Sequence, residues 1–253
     1  AHSNLGIILK DLGNLQEAEL STRKAIEINP DFAMAHSNLG NILKDLGKLQ
    51  EAELSIRKAI EINPDFADAH LNLGSLLIDL GKSQEAFDSY LRVIEINPTY
   101  PNVYSFITEF LRDSDLSLLN KSKLKTILHL LLENDEVPHK ELIKVFNFLY
   151  IDEIIISLEN FNSDFSRIEL LFNNKVIINA LKKIIFCDPK LEELLTKTRR
   201  KICTRIARER EDINQLELEF IIALGEQCFL NEYVYSFTQE ESSSIKKIIY
   251  RCI

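Results

Sequence analysis

The sequence predicts an all-α protein in two parts: a solenoid of stacked helical hairpins, then a further helical region. Three observations carry this. Residues 35–68 repeat residues 1–34 at 30 of 34 positions, differing only at Ile7/Asn41, Asn14/Lys48, Thr22/Ile56 and Met34/Asp68. A looser third copy keeps the period, with His2, His36 and His70, and Pro30, Pro64 and Pro98, each 34 apart. Apolar residues beyond the repeats recur at three and four rather than at two, which is helical spacing. A fixed period of this length marks a stacked array rather than a closed globule.

Within one unit, Leu39, Ile42, Leu43 and Leu46 form the apolar stripe of a first helix. Gly40 interrupts it, where glycine costs about 1 kcal/mol against alanine, and the same residue recurs at Gly6 and Gly74. Close approach of the second helix, through the small Ala52, explains it. Gly47 ends the first helix as a left-handed cap, like Gly13 and Gly81. The second helix runs over Leu49–Ile62, burying Leu49, Ala52, Ile56, Ala59 and Ile60. Asn63-Pro64 stops it, and Asp65 is placed to cap the next helix.

Leu39-Gly40, Gly47, Ala52, Ala59 and Pro64 fall where the tetratricopeptide repeat places its signature residues. Residues 1–98 therefore resemble three such repeats, with a degenerate fourth beginning at Pro101. His36 and Leu43 stand where the family usually has aromatic residues. The fourth unit retains Tyr104, Ile107, Phe110 and Leu111 but has Thr108 and Asp115 in place of glycines, so residues 99–133 read as a worn repeat and transition helices. Residues 134–253 read as an all-helical domain, with breaks at Pro138, Asn162-Ser163, Asn173-Asn174 and Asp188-Pro189. Both ends read as cut, the last helix stopping at Ile253 without a cap.

Composition narrows the function. With 45% hydrophobic and 27% charged residues the chain is an ordinary folded protein. A net charge of −9 argues against nucleic acid as partner, and no apolar run is long enough to span a membrane. Cys187, Cys203, Cys228 and Cys252 lie 16, 25 and 24 apart with no CxxC pair, which indicates reduced thiols in a cytoplasmic protein. Residues 99–253 contain a single glycine, Gly225, so no glycine-rich turn for a nucleotide or S-adenosylmethionine is available. The expectation is a non-enzymatic fragment without cofactor. A zinc shared by His2, His36 and His70 is not expected, because helices about 10 Å apart cannot bring three nitrogens to about 2 Å from one ion.

Asn4, Asn38 and Asn72 occupy one position in three repeats, which in tetratricopeptide arrays lines the concave surface. Helices about 10 Å apart would meet an extended chain rising about 3.3 Å per residue at every third peptide group. An amide can both donate to and accept from such a group. The arrangement is similar to the asparagine ladder of O-linked N-acetylglucosamine transferases. Alternatively the asparagines are solvated residues copied by duplication. Asn41, Lys10, Lys44, Asp45 and Asp79 flank the ladder as a mixed-charge rim. The lysine positions of the chaperone-type carboxylate clamp read as Ser3, Ser37 and Asp68, so that specificity is not expected.

Two functional readings follow. In one, the repeats are a protein-interaction scaffold that holds an extended peptide, with self-association through the uncapped first repeat as a further route. In the other, the chain is the substrate-recruiting or structural front half of a larger methyltransferase. The second rests on Gln227–Tyr235, which resembles a segment of bacterial proteins joining these repeats to a class I methyltransferase domain, here implied beyond Ile253. An aromatic core helix would explain the same segment. The basic run Lys197–Arg210 reads as a solvated helix surface or as a site for an acidic partner.

Overall fold

The computed structural model describes residues 1–159, 171–186, 188–209 and 215–230. All regular elements among these residues are helices, divided between two compact units, Ala1–Asn120 and Lys121–Ile253. The β-branched runs at 153–158 and 176–178 both lie in helices. Cys187, Cys252, the segment 160–170 and the stretch from Asn231 to Ile253 lie outside the described residues.

The first unit holds three helical hairpins: α1 (His2–Asp11) with α2 (Leu15–Ile28), α3 (Ala33–Asp45) with α4 (Leu49–Ile62), and α5 (Ala67–Asp79) with α6 (Ser83–Ile96). Each hairpin turns at a glycine of positive φ, with Gly47 at 76°. The Lys48 N–H reaches the Leu43 carbonyl at 2.9 Å and the Gly47 N–H that of Lys44 at 2.9 Å, closing the last turn of α3. Nothing lies within 4 Å of a Cβ added at Gly47, so the demand for glycine there is conformational alone.

Gly40 has a different cause. A Cβ there would stand 2.2 Å from Ile56 Cγ1 and 3.2 Å from the Ala52 carbonyl oxygen. The close approach expected from the sequence is present, but the side chain crossing the glycine is Ile56, one turn beyond Ala52. In the other hairpins Thr22 and the Tyr90 ring occupy that place over Gly6 and Gly74. Fully buried Ala18, Ala52 and Ala86 complete the contact.

Between hairpins the chain is closed by asparagine. The Asn63 side-chain oxygen accepts the N–H of Asp65 at 3.2 Å, as Asn29 does for Asp31 and Asn97 for Thr99. The helix-capping role expected of Asp65 is not seen: Phe66 precedes α5 and no side chain caps it. The short Asn63 reaches its own turn first. His36 and His70 donate from Nε2 to the carbonyls of Pro30 and Pro64 at 2.8 and 2.9 Å, tying each first helix to the turn before it.

Helix α7 (Val103–Asp113) continues the repeat register, with Val103, Ile107 and Leu111 buried like Ala35, Leu39 and Leu43. Phe110 stacks on Phe87 at 6.0 Å and meets the edge of Tyr90 at 5.7 Å. A single 3-10 turn, Leu116–Leu118, follows within this unit, and Gln84 accepts the Asn120 N–H at 2.8 Å. Of the residues 99–133 read as a worn repeat and transition helices, 99–120 belong to the first unit and 121–133 to the second.

The second unit contains α8 (Lys121–Glu133), a 3-10 turn (His139–Leu142) entering α9 (Ile143–Glu159), α10 (Lys175–Lys183), α11 (Pro189–Glu209) and α12 (Gln215–Leu230). Helix α10 packs on α8 and α12, while α11 packs on α9 and α12. Phe146 with Phe186 and Phe172 with Phe220 form its aromatic core, at 5.1 and 4.8 Å. Asp188 accepts the Leu191 N–H at 2.8 Å, capping α11 at the expected place. Buried Gln227 donates to the carbonyls of Leu181 and Ile184 at the end of α10. Within the basic run Arg199 is buried, while Lys197 and Lys201 are exposed.

Candidate functional site: the first-helix face of the repeats

Helices α1, α3 and α5 lie side by side and bring the asparagines to one face. Asn4 is exposed, and Asn38, Asn72 and Asn41 are half-buried. The ladder has partners within the protein. Asn38 Nδ2 donates to Ser3 Oγ at 3.1 Å, and Asn72 Nδ2 to Ser37 Oγ at 3.0 Å. Each amide is thereby oriented by the preceding repeat, with its second N–H and its carbonyl oxygen left for another group. Ser3 and Ser37 were missed as site residues. The signal was present, since a serine directly precedes an asparagine in both copies, but the bond joins residues 35 apart and needs the stacking geometry.

The rim charges pair with one another. Lys10 Nζ meets Asp45 at 3.3 Å and Lys44 Nζ meets Asp79 at 3.0 Å, each linking one first helix to the next. Lys44 also donates to Ser75 Oγ at 2.6 Å. These four residues clamp the repeats together, so they offer a ligand less charge than the sequence alone suggests. At the next rung Ile78 replaces the lysine. The Tyr90 phenol beneath is pushed up to about 12 by burial first, then by the carboxylates of Asp79 and Glu109. Tyr100 is likewise raised to about 12, by burial and by its hydrogen bond to Asp68.

The second helices carry a separate ladder. Glu19 holds both Arg23 and Lys48 at 2.8 Å, and Glu53 holds Arg57 and Lys82 at 2.8 Å. Arg23 and Arg57 reach on to Glu51 and Glu85 of the following repeat. The hydrogen bonds from Lys48 and Lys82 lead in lowering the pKa of Glu19 and Glu53, against burial that raises it. Under these pairs lie two open pockets of about 470 Å³, one floored by Leu39 and Leu43, the other by Leu73 and Leu77, 34 residues on. Among the described residues no cluster of three metal-ligating side chains occurs. His36 and His70 are engaged by the proline carbonyls instead.

The tetratricopeptide repeat family model matches residues 1–32, 33–66 and 67–100. Residues 1–100 are three tetratricopeptide repeats. Several solved structures are similar to part of the chain. The first repeat domain of Spaghetti (RPAP3) bound to the HSP90 peptide SRMEEVD is 22% identical, with 43% of this chain and 86% of that one covered at a TM-score of 0.41. The second repeat domain of human RPAP3, in complex with the HSP70 peptide SGPTIEEVD, is 19% identical, covering 43% and 91% at 0.40. YrrB, described as a repeat protein with an unusual peptide-binding site, is 17% identical, covering 76% and 84% at 0.42. A search of curated proteins returned no match.

Proposed function

We propose that the tetratricopeptide repeats are a scaffold that holds an extended protein segment along the first-helix face. The observation that supports this most is the orientation of Asn38 and Asn72. Bonds to Ser3 and Ser37 fix each amide at one end and leave an acceptor oxygen and a donor hydrogen for a passing peptide group. Preorganisation of this kind lowers the ordering cost of binding. Each amide–backbone contact contributes about 0.5–1.5 kcal/mol net, so one adds little and three add a few kcal/mol. Affinity through the ladder tolerates varied side chains and responds weakly to salt. A cytoplasmic, non-catalytic role goes with this reading.

The test is replacement of Asn4, Asn38 and Asn72 together by alanine, with binding of unstructured peptides followed by fluorescence anisotropy. Loss of binding with the helical circular-dichroism spectrum retained is the expected result, the melt falling only by the loss of the two bonds to Ser3 and Ser37, about 0.5–1.5 kcal/mol each. Unchanged affinity would leave the asparagines with no part in binding beyond their bonds between repeats.

Self-association through the first repeat is favoured by one observation. Leu5, Ile8 and Leu12 are 47, 56 and 69% exposed. Sedimentation over a wide concentration range checks it. The attached-methyltransferase reading rests on the resemblance of Gln227–Tyr235. Of that segment, Gln227 donates to the carbonyls of Leu181 and Ile184, while residues 231–235 lie outside the described residues.

A further inference from the structure

The second helices leave two clefts of one design. Helices α2 and α4 both pack on α3, and α4 and α6 both pack on α5. Between the members of each pair opens a pocket of about 470 Å³, over the leucines of the intervening first helix. Ion pairs brace both clefts, Arg23 to Glu51 at 3.2 Å across the first and Arg57 to Glu85 at 2.6 Å across the second. Neither pocket includes an asparagine of the ladder.

The walls suit side chains rather than a backbone. Half-buried Ile26 and Ile60 take the same place in the two pockets. The hydroxyls are engaged within the repeats, Ser55 donating to the His36 carbonyl and Ser89 to the Glu85 carbonyl, both at 2.9 Å. The imidazoles of His36 and His70 are held by the proline carbonyls. An extended segment would find few partners here for its peptide groups, whereas a helix bonds its own. Neighbouring helices stand about 10 Å apart, and positions i and i+7 of a helix lie about 10.5 Å apart on one face. One lip distinguishes the pockets. Leu54, 71% exposed, stands at the first, and Asp88 takes its repeat position at the second. The first pocket balances Glu27 and Glu51 with Arg23 and Lys58. The second adds Glu61 and Glu85 to Asp88, and its Arg57 and Arg92 each hold two carboxylates already.

We propose that this pair of pockets is a docking site for an amphipathic helix of a partner protein, with an apolar residue in the first pocket and a lysine or arginine seven positions on in the second. The apolar side chain packs on Ile26, Leu39 and Leu54. The basic one lays its aliphatic stem on Ile60 and Leu73 and turns its cation to Asp88 and Glu85. An acidic residue at that position is repelled, since like charges brought together at an interface disfavour binding. The site is independent of the asparagine ladder, so the repeats hold partners of two conformations on two surfaces.

The experiment uses the full chain and labelled Ala/Gln peptides stapled as helices, because short helices are marginal in water. Three carry Leu-Lys, Leu-Glu or Ser-Lys at positions i and i+7. A fourth, unstapled, carries Leu-Lys with a proline between them, which breaks the helix. Stapled Leu-Lys is expected to bind about tenfold tighter than each of the others, a difference of about 1.4 kcal/mol. L54S should narrow the gap between Leu-Lys and Ser-Lys. D88N, whose oxygen still accepts from Gln84, should narrow the gap between Leu-Lys and Leu-Glu. Circular-dichroism melts confirm that the variants fold. Equal affinity for the stapled peptides, binding of none, equal binding of the proline peptide, or a variant that leaves its gap unchanged overturns the proposal. Replacing Asn4, Asn38 and Asn72 by alanine should leave stapled Leu-Lys bound as before. Loss of its binding there would place the helix on the ladder and equally overturn the proposal.

Discussion

Two glycines of one hairpin are needed for unrelated reasons, and substitution separates them. Gly47→Ala places a Cβ in open space but forces an L-residue into the left-handed region, at about 1–2 kcal/mol. Gly40→Ala keeps a helical backbone and gains about 1 kcal/mol in propensity, yet drives its Cβ into Ile56. Overpacking of this kind costs about 1–3 kcal/mol, and the 2.2 Å separation from Cγ1, not from a chain end, places it at the upper end. Urea unfolding should therefore find both variants destabilised, while only the Gly40→Ala loss shrinks when Ile56 is also made alanine. Equal non-additivity at Gly47 would contradict this. The period in the sequence showed that both glycines matter. It could not show that Ile56 crosses Gly40, because Thr22 and Tyr90 hold the same position and the pattern names no single residue type. The same limit hid Ser3 and Ser37 and gave Asp65 a helix cap that α5 does not have.

At the level of the element, the second helices are joined by carboxylates that each serve two cations. Glu19 and Glu53 have folded-state pKa values below the ordinary 4.5. A lowered acid binds its proton more readily in the unfolded chain, so its contribution is full above about 4.5 and fades as pH falls through the lower folded value. Thermal melts should drop as pH is lowered across that range, and K48A/K82A should flatten the dependence, since those lysines lead the shift. A slope unaffected by both substitutions would place the acid sensitivity elsewhere. Helix α7 depends instead on aromatic packing. Phe110→Ala removes the stack on Phe87 and the edge contact with Tyr90, and should cost about 3–5 kcal/mol. Helix boundaries such as Leu49–Ile62 were legible because glycine and Asn-Pro punctuate each end. The division between Asn120 and Lys121 was not, because the fourth unit keeps its apolar spacing while losing the glycines that signal a hairpin.

At the scale of the whole molecule, near-duplication provides an internal control. The hairpins α1–α2 and α3–α4 differ at only four of 34 positions, so helix propensity and turn chemistry are nearly equal. Their surroundings differ. Leu39 and Ile42 are 4 and 0% exposed against the preceding repeat, whereas their counterparts Leu5 and Ile8 are 47 and 56% exposed. Full burial of one such side chain stabilises by about 1.5–3 kcal/mol, and in a solenoid that gain belongs to the interface between neighbours. Two side chains that are buried in one copy and about half open in the other therefore separate the hairpins by a few kcal/mol at most. Opening of α1–α2 alone should need less free energy than opening of α3–α4, which also loses contacts on its other side. Native-state hydrogen exchange checks this within one sample by comparing equivalent amides, Ala25 with Ala59 and Ile26 with Ile60. Exchange should be faster in the first member of each pair, by about tenfold or more for a difference of 1.4 kcal/mol. Equal rates would mean that the hairpins open as one unit, with stacking spread over the whole array. Slower exchange in α1–α2 would mean that the exposed leucines are covered in solution, which is the outcome self-association requires. Repeating the measurement at low protein concentration then separates a partner's protection from the hairpin's own stability.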